Sequence, residues 1–262
     1  IKKKRTMAIL YENKRENYLC KHNNILYKGL GVEGYIEITK VRECKKLDTS
    51  ENCDLWWKDR EVWIGLDLSQ TDDNTSVAMV TEVDGKIHAK VFAFIPHDKK
   101  EIKSQRENVN YQGMINSGVC FECGDEVIDY CFVESFILSL TGCYGVNIVQ
   151  VGYDRYNAIS TVQKLESEGL ECVEIKQHSS VLHSPTKLLK EYVLSKKFEY
   201  DPNKLLEINF QNARCTEDTN LNKYVNKKKS NGKVDMVVSL INAIYLLEQQ
   251  MLWGGEVFTV QY

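Results

Sequence analysis

Proline is nearly absent, with 3 residues among 262, and glycine is held to 15. Those scarcities exclude a collagen-like chain and proline-rich linkers, and 43% apolar residues exclude general disorder. No apolar run approaches the ~20 residues that cross a bilayer. The opening Ile1-Lys2-Lys3-Lys4-Arg5 has neither the apolar core nor the small-residue cleavage site of a secretory leader. The expectation is a soluble, unsecreted protein with no membrane contact. Nine cysteines, an odd number scattered from Cys20 to Cys215, follow no framework spacing, which fits reduced thiols in a cytoplasm rather than disulfides. A strong charge of one sign is also missing. A net charge of −3 leaves any nucleic-acid contact to a local basic cluster.

What is present suits one large domain or two small ones. The chain starts on Ile and opens on a basic, Tyr- and Asn-rich stretch, so it reads as part of something larger. Residues 1–60 read as a lead-in, mixing helix-like polarity from Arg5 to Asn23 with short apolar pieces such as Tyr35-Ile36-Glu37-Ile38. Residues 61–262 form the main domain. Val62 to Ser69 reads as a mostly buried strand; Ser76 to Val83 and Lys86 to Phe94 are two more, joined by an Asp84-Gly85 hairpin signal. Glu126 to Leu140 reads as strand then helix, and Asn147 to Asp154 as a short strand ending on an acid. A helix from Asn157 to Glu168, a strand from Glu171 to Ile175 and a helix from Pro185 to Ser195 continue the alternation. The segment from Tyr200 to Asn231 reads as polar and turn-rich. Val234, Val237, Val238, Ile241, Ile244, Tyr245 and Leu247 then mark a final helix whose apolar stripe faces the core. This alternation predicts a mixed α/β sheet covered by helices.

Three acids sit at the ends of core elements. Asp67 lies inside an apolar strand, where Ile64, Leu66 and Leu68 take one face and Asp67 shares the other with Gly65. An ionised carboxylate there is costly unless a cation or several hydrogen bonds compensate. Asp154 ends a strand at its turn into a helix, where open α/β sheets gather functional groups, although a plain turn or N-cap residue reads the same way. Asp235 occupies the first turn of the last helix, beside its apolar stripe, with Ser239 and Asn242 on the same side. Such distant acids suit a site assembled by the fold. Two divalent ions about 3.5 to 4 Å apart could be held there for phosphodiester hydrolysis, and oxygen ligands favour Mg²⁺ or Mn²⁺ over zinc. Lys223, Lys227, Lys228, Lys229 and Lys233 lie just before the third acid. They read either as a solvated loop or as contacts to a DNA backbone.

Gly65-Leu66-Asp67-Leu68-Ser69 followed by Asp73-Asn74-Thr75, Gly152-Tyr153-Asp154-Arg155-Tyr156-Asn157-Ala158, and Lys227-Lys228-Lys229-Ser230 followed by Lys233-Val234-Asp235 stand in a specific order. Over roughly residues 60–250 the chain resembles the C-terminal nuclease domain of bacteriophage terminase large subunits. One departure is Met236, where the family often carries a small residue. The resemblance implies an RNase H-like (retroviral integrase-like) fold and a metal-dependent endonuclease that cuts concatemeric phage DNA during packaging in the bacterial host cytoplasm. It carries metal-binding roles onto Asp67, Asp154 and Asp235, with Asp67 bridging two Mg²⁺ or Mn²⁺ ions and Asp73 an accessory acid. It further implies double-stranded DNA as substrate, portal and small terminase subunit as partners of the full-length protein, and residues 1–60 as a lead-in from an N-terminal ATPase. No G-x-x-x-x-G-K-[ST] loop occurs in the chain, so ATP-driven translocation is not expected of it.

Two rival readings stay open. The same acid geometry serves Holliday-junction resolvases and transposases, and a non-catalytic DNA-binding or portal-docking module would leave the acids merely structural. Other motifs carry less. Gly29 to Gly34 fits G-x-G-x-x-G, but Tyr35 to Thr39 alternates like a strand where a dinucleotide site needs a helix. Cys120-Phe121-Glu122-Cys123 lacks a second pair for zinc. His178 and His183 flank serines without a nucleophile elbow, and Asn74-Thr75-Ser76 fits a glycosylation acceptor that a cytoplasmic setting makes irrelevant.

Overall fold

The computed structural model describes residues 2–10, 33–46, 54–70, 72–155 and 157–253. In chain order its elements begin with α1 (Lys2–Leu10), β1 (Glu33–Gly34), α2 (Ile38–Arg42), β2 (Glu61–Asp67), β3 (Thr75–Val83) and β4 (Lys86–Ile95). Next come α3 (Lys100–Glu107), α4 (Tyr111–Asn116), β5 (Cys120–Glu122), α5 (Tyr130–Tyr144), β6 (Asn147–Tyr153), α6 (Ile159–Ser167) and β7 (Cys172–Glu174). The chain continues through α7 (Ser179–Leu194), β8 (Phe198–Tyr200), α8 (Lys204–Asn212), β9 (Arg214–Glu217), β10 (Lys223–Val225) and α9 (Asp235–Trp253).

The main sheet runs β5-β4-β3-β2-β6-β7, with β8 also paired to β4. Strands β2, β3 and β4 are antiparallel, while β6 joins β2 and β7 joins β6 in parallel. An antiparallel meander continued by two parallel strands, in the order β4-β3-β2-β6-β7, is the RNase H-like arrangement that the resemblance implies. Asp84 and Gly85 both take positive φ, 53° and 74°, as the tight β3–β4 hairpin requires.

Alternation along the strands separates two apolar layers. Val62, Ile64, Leu66, Val77, Met79, Phe92 and Phe94 bury against α5 and α6 through Val133, Ile137, Leu140 and Leu165. The opposite face carries smaller side chains, Ala78, Ala89 and Ala93 among them, and packs on α9 with α7 and α8 behind it. Gly65 permits that approach: a Cβ there would lie 1.9 Å from the Ser239 carbonyl oxygen and 2.4 Å from the Ala243 nitrogen. Helix α9 therefore crosses β2 at backbone contact, and its first residue lands beside the end of that strand.

A small sheet, β1-β9-β10, packs through β10 on α7. Residues 33–46 join the same core through Tyr35, Ile36, Val41 and Cys44. Four expectations need correction. Tyr35 to Thr39 does not continue as a strand; it turns after Gly34 into α2, with Tyr35 and Ile36 buried. The 126–140 segment holds no strand before its helix; Asp129 accepts from Cys131 N as the N-cap of α5. The 200–231 region is not merely turns, because Asn203 accepts from Leu206 N, capping α8, and Leu205, Leu206 and Phe210 bury its inner face. Helix α7 also starts six residues ahead of Pro185, which lies inside it. The glycine motif at 29–34 falls mostly outside the described residues.

Candidate metal centre

Asp67 is the last residue of β2 and Asp235 the first of α9; both are buried, at 4% and 2% exposure. The Lys227 ammonium donates to Asp67 Oδ1 at 2.8 Å and Oδ2 at 2.6 Å, and lies 3.4 Å from Asp235 Oδ1. Asp235 Oδ2 accepts from the Asn74 backbone N–H at 3.1 Å. Asp154 follows the last residue of β6, the parallel neighbour of β2, and lines the same cleft of about 430 Å³ as Asp67. Gln177, Tyr224, Asn226, Lys228 and Asn242 also line this cleft.

Neighbouring hydrogen bonds hold the acids' supports. Asn242, on the Asp235 side of α9, donates to the Leu66 carbonyl at 3.1 Å, and Ser239 Oγ lies 2.8 Å from Ser76 Oγ. Both bonds bind the helix to β2 or β3 next to the acids. Met236 does not disturb the helix start: its side chain is buried and its N–H donates to Asn209 Oδ1 at 3.1 Å.

Burial drives the Asp67 carboxyl up to about 7 against the pull of Lys227, and the Asp235 and Asp154 charges add to the rise. Burial raises Asp235 as well, again opposed by Lys227. For Lys227, burial works downward, but Asp67 and Asp235 outweigh it and hold the ammonium firmly charged. Among the described residues no three His, Cys, Asp or Glu side chains are gathered into a ready metal cage. Asp67 and Asp154 line the cleft, and Lys227 joins Asp67 to Asp235. Carboxylate oxygens of Asp67 and Asp154 and the side-chain amides of Gln177, Asn226 and Asn242 line the cleft, and the Lys227 ammonium lies between Asp67 and Asp235. Such residues fit a hard divalent ion.

The remaining candidates separate. Asp73, half exposed, pairs with Lys233, whose charge and hydrogen bond pull its carboxyl down although partial burial pushes the other way. Lys223 faces Glu217 across the β9–β10 pair at 3.6 Å. Lys228 and Lys229 are exposed on the short turn 227–229, without an ion pair among the described residues. Lys227, 40% exposed, is an ion-pair partner of both acids. Cys120 and Cys123 are buried as thiols, pushed up by burial to about 12 and about 11. His178 caps α7, and His183 Nδ1 accepts from Lys223 N at 2.8 Å. Helical spacing from Asp235 marks Ser239 and Asn242 in the sequence, and Asn74 stands in the Asp73-Asn74-Thr75 motif, whereas Gln177, Tyr224 and the buried Tyr111 behind Asn74 carry no local signal.

An RNase H-like sheet with carboxylates at the ends of two adjacent core strands and at the start of the helix crossing them defines a nuclease-type domain. Residues 1–250 match the family model for the terminase large subunit, endonuclease domain, and the chain belongs to that family. A curated relative, the large subunit terminase of Enterobacteria phage HK97, is 22% identical over 189 residues, 71% of this chain and 37% of the relative. The crystal structure of the HK97 bacteriophage large terminase matches with a TM-score of 0.73 at 19% identity, over 93% of this chain and 49% of that one. The manganese-bound nuclease domain of the large terminase from bacteriophage SPP1 is 12% identical, over 80% of this chain and 98% of that one, with a TM-score of 0.48. The chain therefore spans less than half the length of the HK97 protein. Among the described residues no helix is long and apolar enough to cross a membrane.

Proposed function

We propose that this chain is a metal-dependent endodeoxyribonuclease that cuts concatemeric viral DNA during genome packaging, with Asp67, Asp154 and Asp235 as ligands for two Mg²⁺ or Mn²⁺ ions. The observation that carries the reading is the pair of buried carboxylates, Asp67 and Asp235, sharing the Lys227 ammonium, with Asp67 and Asp154 lining one cleft. Two divalent ions bound there would activate a water for attack on phosphorus and stabilise the leaving oxygen.

The chain's own residues do the rest. Asn74 N–H and Asn242 hold Asp235 and the end of β2 in fixed relation. Lys227, 40% exposed, can swing from the acids toward the phosphate as the charge between them is replaced. Lys228 and Lys229 supply backbone contacts that do not read sequence. In the same reading, Asp73 is an accessory acid, and residues 1–60 lead in from an ATPase motor that works with portal and small terminase subunit in the host cytoplasm.

Supercoiled plasmid incubated with the chain and Mn²⁺ or Mg²⁺ should be nicked, and Asp67→Asn or Asp235→Asn should abolish nicking. Equal cleavage by those variants would sink the assignment. Strong preference for branched over linear DNA would move the reading toward a junction resolvase.

A further inference from the structure

Asn74 links the acid site to a buried polar chain that the proposed chemistry does not use. Its backbone N–H donates to Asp235, while its side-chain Nδ2 donates to Tyr111 Oη at 2.8 Å. Tyr111 Oη in turn donates to Glu107 Oε2 at 2.6 Å. Glu107 lies 3.4 Å from the Lys103 ammonium and 3.2 Å from Arg106. Lys103 also donates to the Asp72 carbonyl at 2.7 Å. Asn74, Tyr111 and Lys103 are 1%, 0% and 2% exposed, so none of these groups can exchange its partner for water without opening the fold.

Donor arithmetic fixes the direction of the chain. Burial and the Glu107 carboxylate push the Tyr111 phenol well above its ordinary value, so it keeps its single proton and gives it to Glu107. Its oxygen can then only accept from Asn74, which turns the NH₂ group of Asn74 toward Tyr111 and leaves Oδ1 with no partner among the described residues. One rotamer of Asn74 follows, and with it one backbone position for the N–H that meets Asp235. The loop between β2 and β3 is fastened on both sides of Asp73: Lys103 holds Asp72, and Tyr111 holds Asn74.

We infer that Tyr111 is a positioning residue for the metal centre, acting through Asn74 on the Asp235 carboxylate. The inference rests on Asp235 being a metal ligand, and it assigns α3 and α4, which precede Asp235 by more than a hundred residues, to tuning that ligand. Groups that orient a ligand from behind typically change metal affinity by about 10- to 100-fold when lost.

The test measures Mn²⁺ uptake by calorimetry and the Mn²⁺ concentration for half-maximal plasmid nicking. Tyr111→Phe, with unchanged circular dichroism, should weaken Mn²⁺ binding about tenfold and raise the half-maximal concentration in parallel. Asn74→Ala cuts the chain at its other link and should do the same, and the double variant should be no worse than either single one. Tyr111→Phe and Asn74→Ala that melt earlier yet bind Mn²⁺ with parental affinity would overturn the inference and leave the acid site standing. Absence of Mn²⁺ uptake by the parent chain would overturn the metal reading and this inference together.

Discussion

Lys227 Nζ sits 2.6 Å from Asp67 Oδ2 and 3.4 Å from Asp235 Oδ1, so one ammonium neutralises two carboxylates that come from the end of a strand and the start of a helix. Side by side in a dry setting, two ionised carboxylates repel and one takes up a proton unless a cation intervenes. The lysine is reached from the turn at 227–229 and keeps 40% of its side chain in solvent, whereas the acids keep almost none. The acids are the fixed part of the site and the ammonium the exchangeable part.

Replacing Lys227 by Met should separate those roles. Removing one partner of a buried pair is costly, and the lysine's exposure reduces that cost to roughly 2 kcal/mol in the metal-free chain. Mn²⁺ should restore more than is lost, because the ion no longer displaces an ammonium. Melting temperatures measured across a Mn²⁺ titration should therefore rise further for Lys227→Met than for the parent. An equal or smaller rise would mean the ammonium does not stand where the ion binds.

The pH response follows from Asp67. Its carboxyl is raised from 3.8 to about 7 in the folded chain, chiefly by burial. A raised folded value means the folded state binds the proton more tightly, so this contribution to stability is complete below about pH 3.8 and is lost as pH climbs through about 7. Over that interval the metal-free parent should lose melting temperature relative to Asp67→Asn, in which this carboxyl no longer titrates. With Mn²⁺ the sign reverses, since the ion needs the ionised carboxylate, and the metal-induced rise in melting temperature should grow with pH up to about 7. A parent-minus-variant difference that stays constant over this interval would contradict the raised carboxyl of Asp67.

The sequence made the central meander and the last helix legible because each has one strong period. Alternation from Val62 to Phe94 and the stripe from Val234 to Leu247 leave little choice of element, and the Asp84-Gly85 pair fixes the turn between β3 and β4. Asp67 and Asp235 stood out because an acid breaks an otherwise apolar pattern. Helix α8 did not stand out: its buried Leu205, Leu206 and Phe210 are interleaved with Lys204, Glu207, Asn209 and Asn212, and its cap, Asn203, follows a proline. The partnership of Lys227 with the acids was hidden for another reason, since a run of lysines looks the same whether it faces solvent, phosphate or a carboxylate. Tyr111 was invisible because its meaning lies in a contact with Asn74 across 37 positions, which no local spacing encodes.

Gly65 provides a test of the packing that brings the acids together. An added Cβ would meet backbone atoms of α9 at 1.9 and 2.4 Å, and backbone cannot rotate away as a side chain can. Gly65→Ala should push the helix off β2, destabilise the chain by roughly 3 kcal/mol or more and weaken Mn²⁺ uptake even where protein remains folded. Gly85→Ala serves as the contrasting change, because nothing lies within 4 Å of its Cβ and only the positive φ is strained. It should lower the melting temperature modestly and leave Mn²⁺ affinity alone. Chemical denaturation with parallel calorimetry would decide between helix displacement and a purely local defect.

The lysines near the third acid divide by what already holds them, and DNA binding should divide the same way. Lys233 is paired with Asp73, Lys223 faces Glu217, and Lys227 is paired with Asp67 and Asp235. Lys228 and Lys229 project from the turn at the cleft without such partners among the described residues, so their charges are available to phosphates at no cost in broken ion pairs. Each phosphate contact releases condensed counterions, and losing one should lower the slope of log K against log salt by about 1. Lys228→Ala and Lys229→Ala should each weaken binding equally for unrelated duplex sequences, flatten the salt dependence by that amount, and leave Mn²⁺ affinity unchanged. Lys223→Ala should alter the slope much less. Fluorescence anisotropy with two duplexes of different sequence, read across a salt series, distinguishes these outcomes. An unchanged slope for the Lys228→Ala, Lys229→Ala double variant would show that DNA does not approach the cleft over this turn.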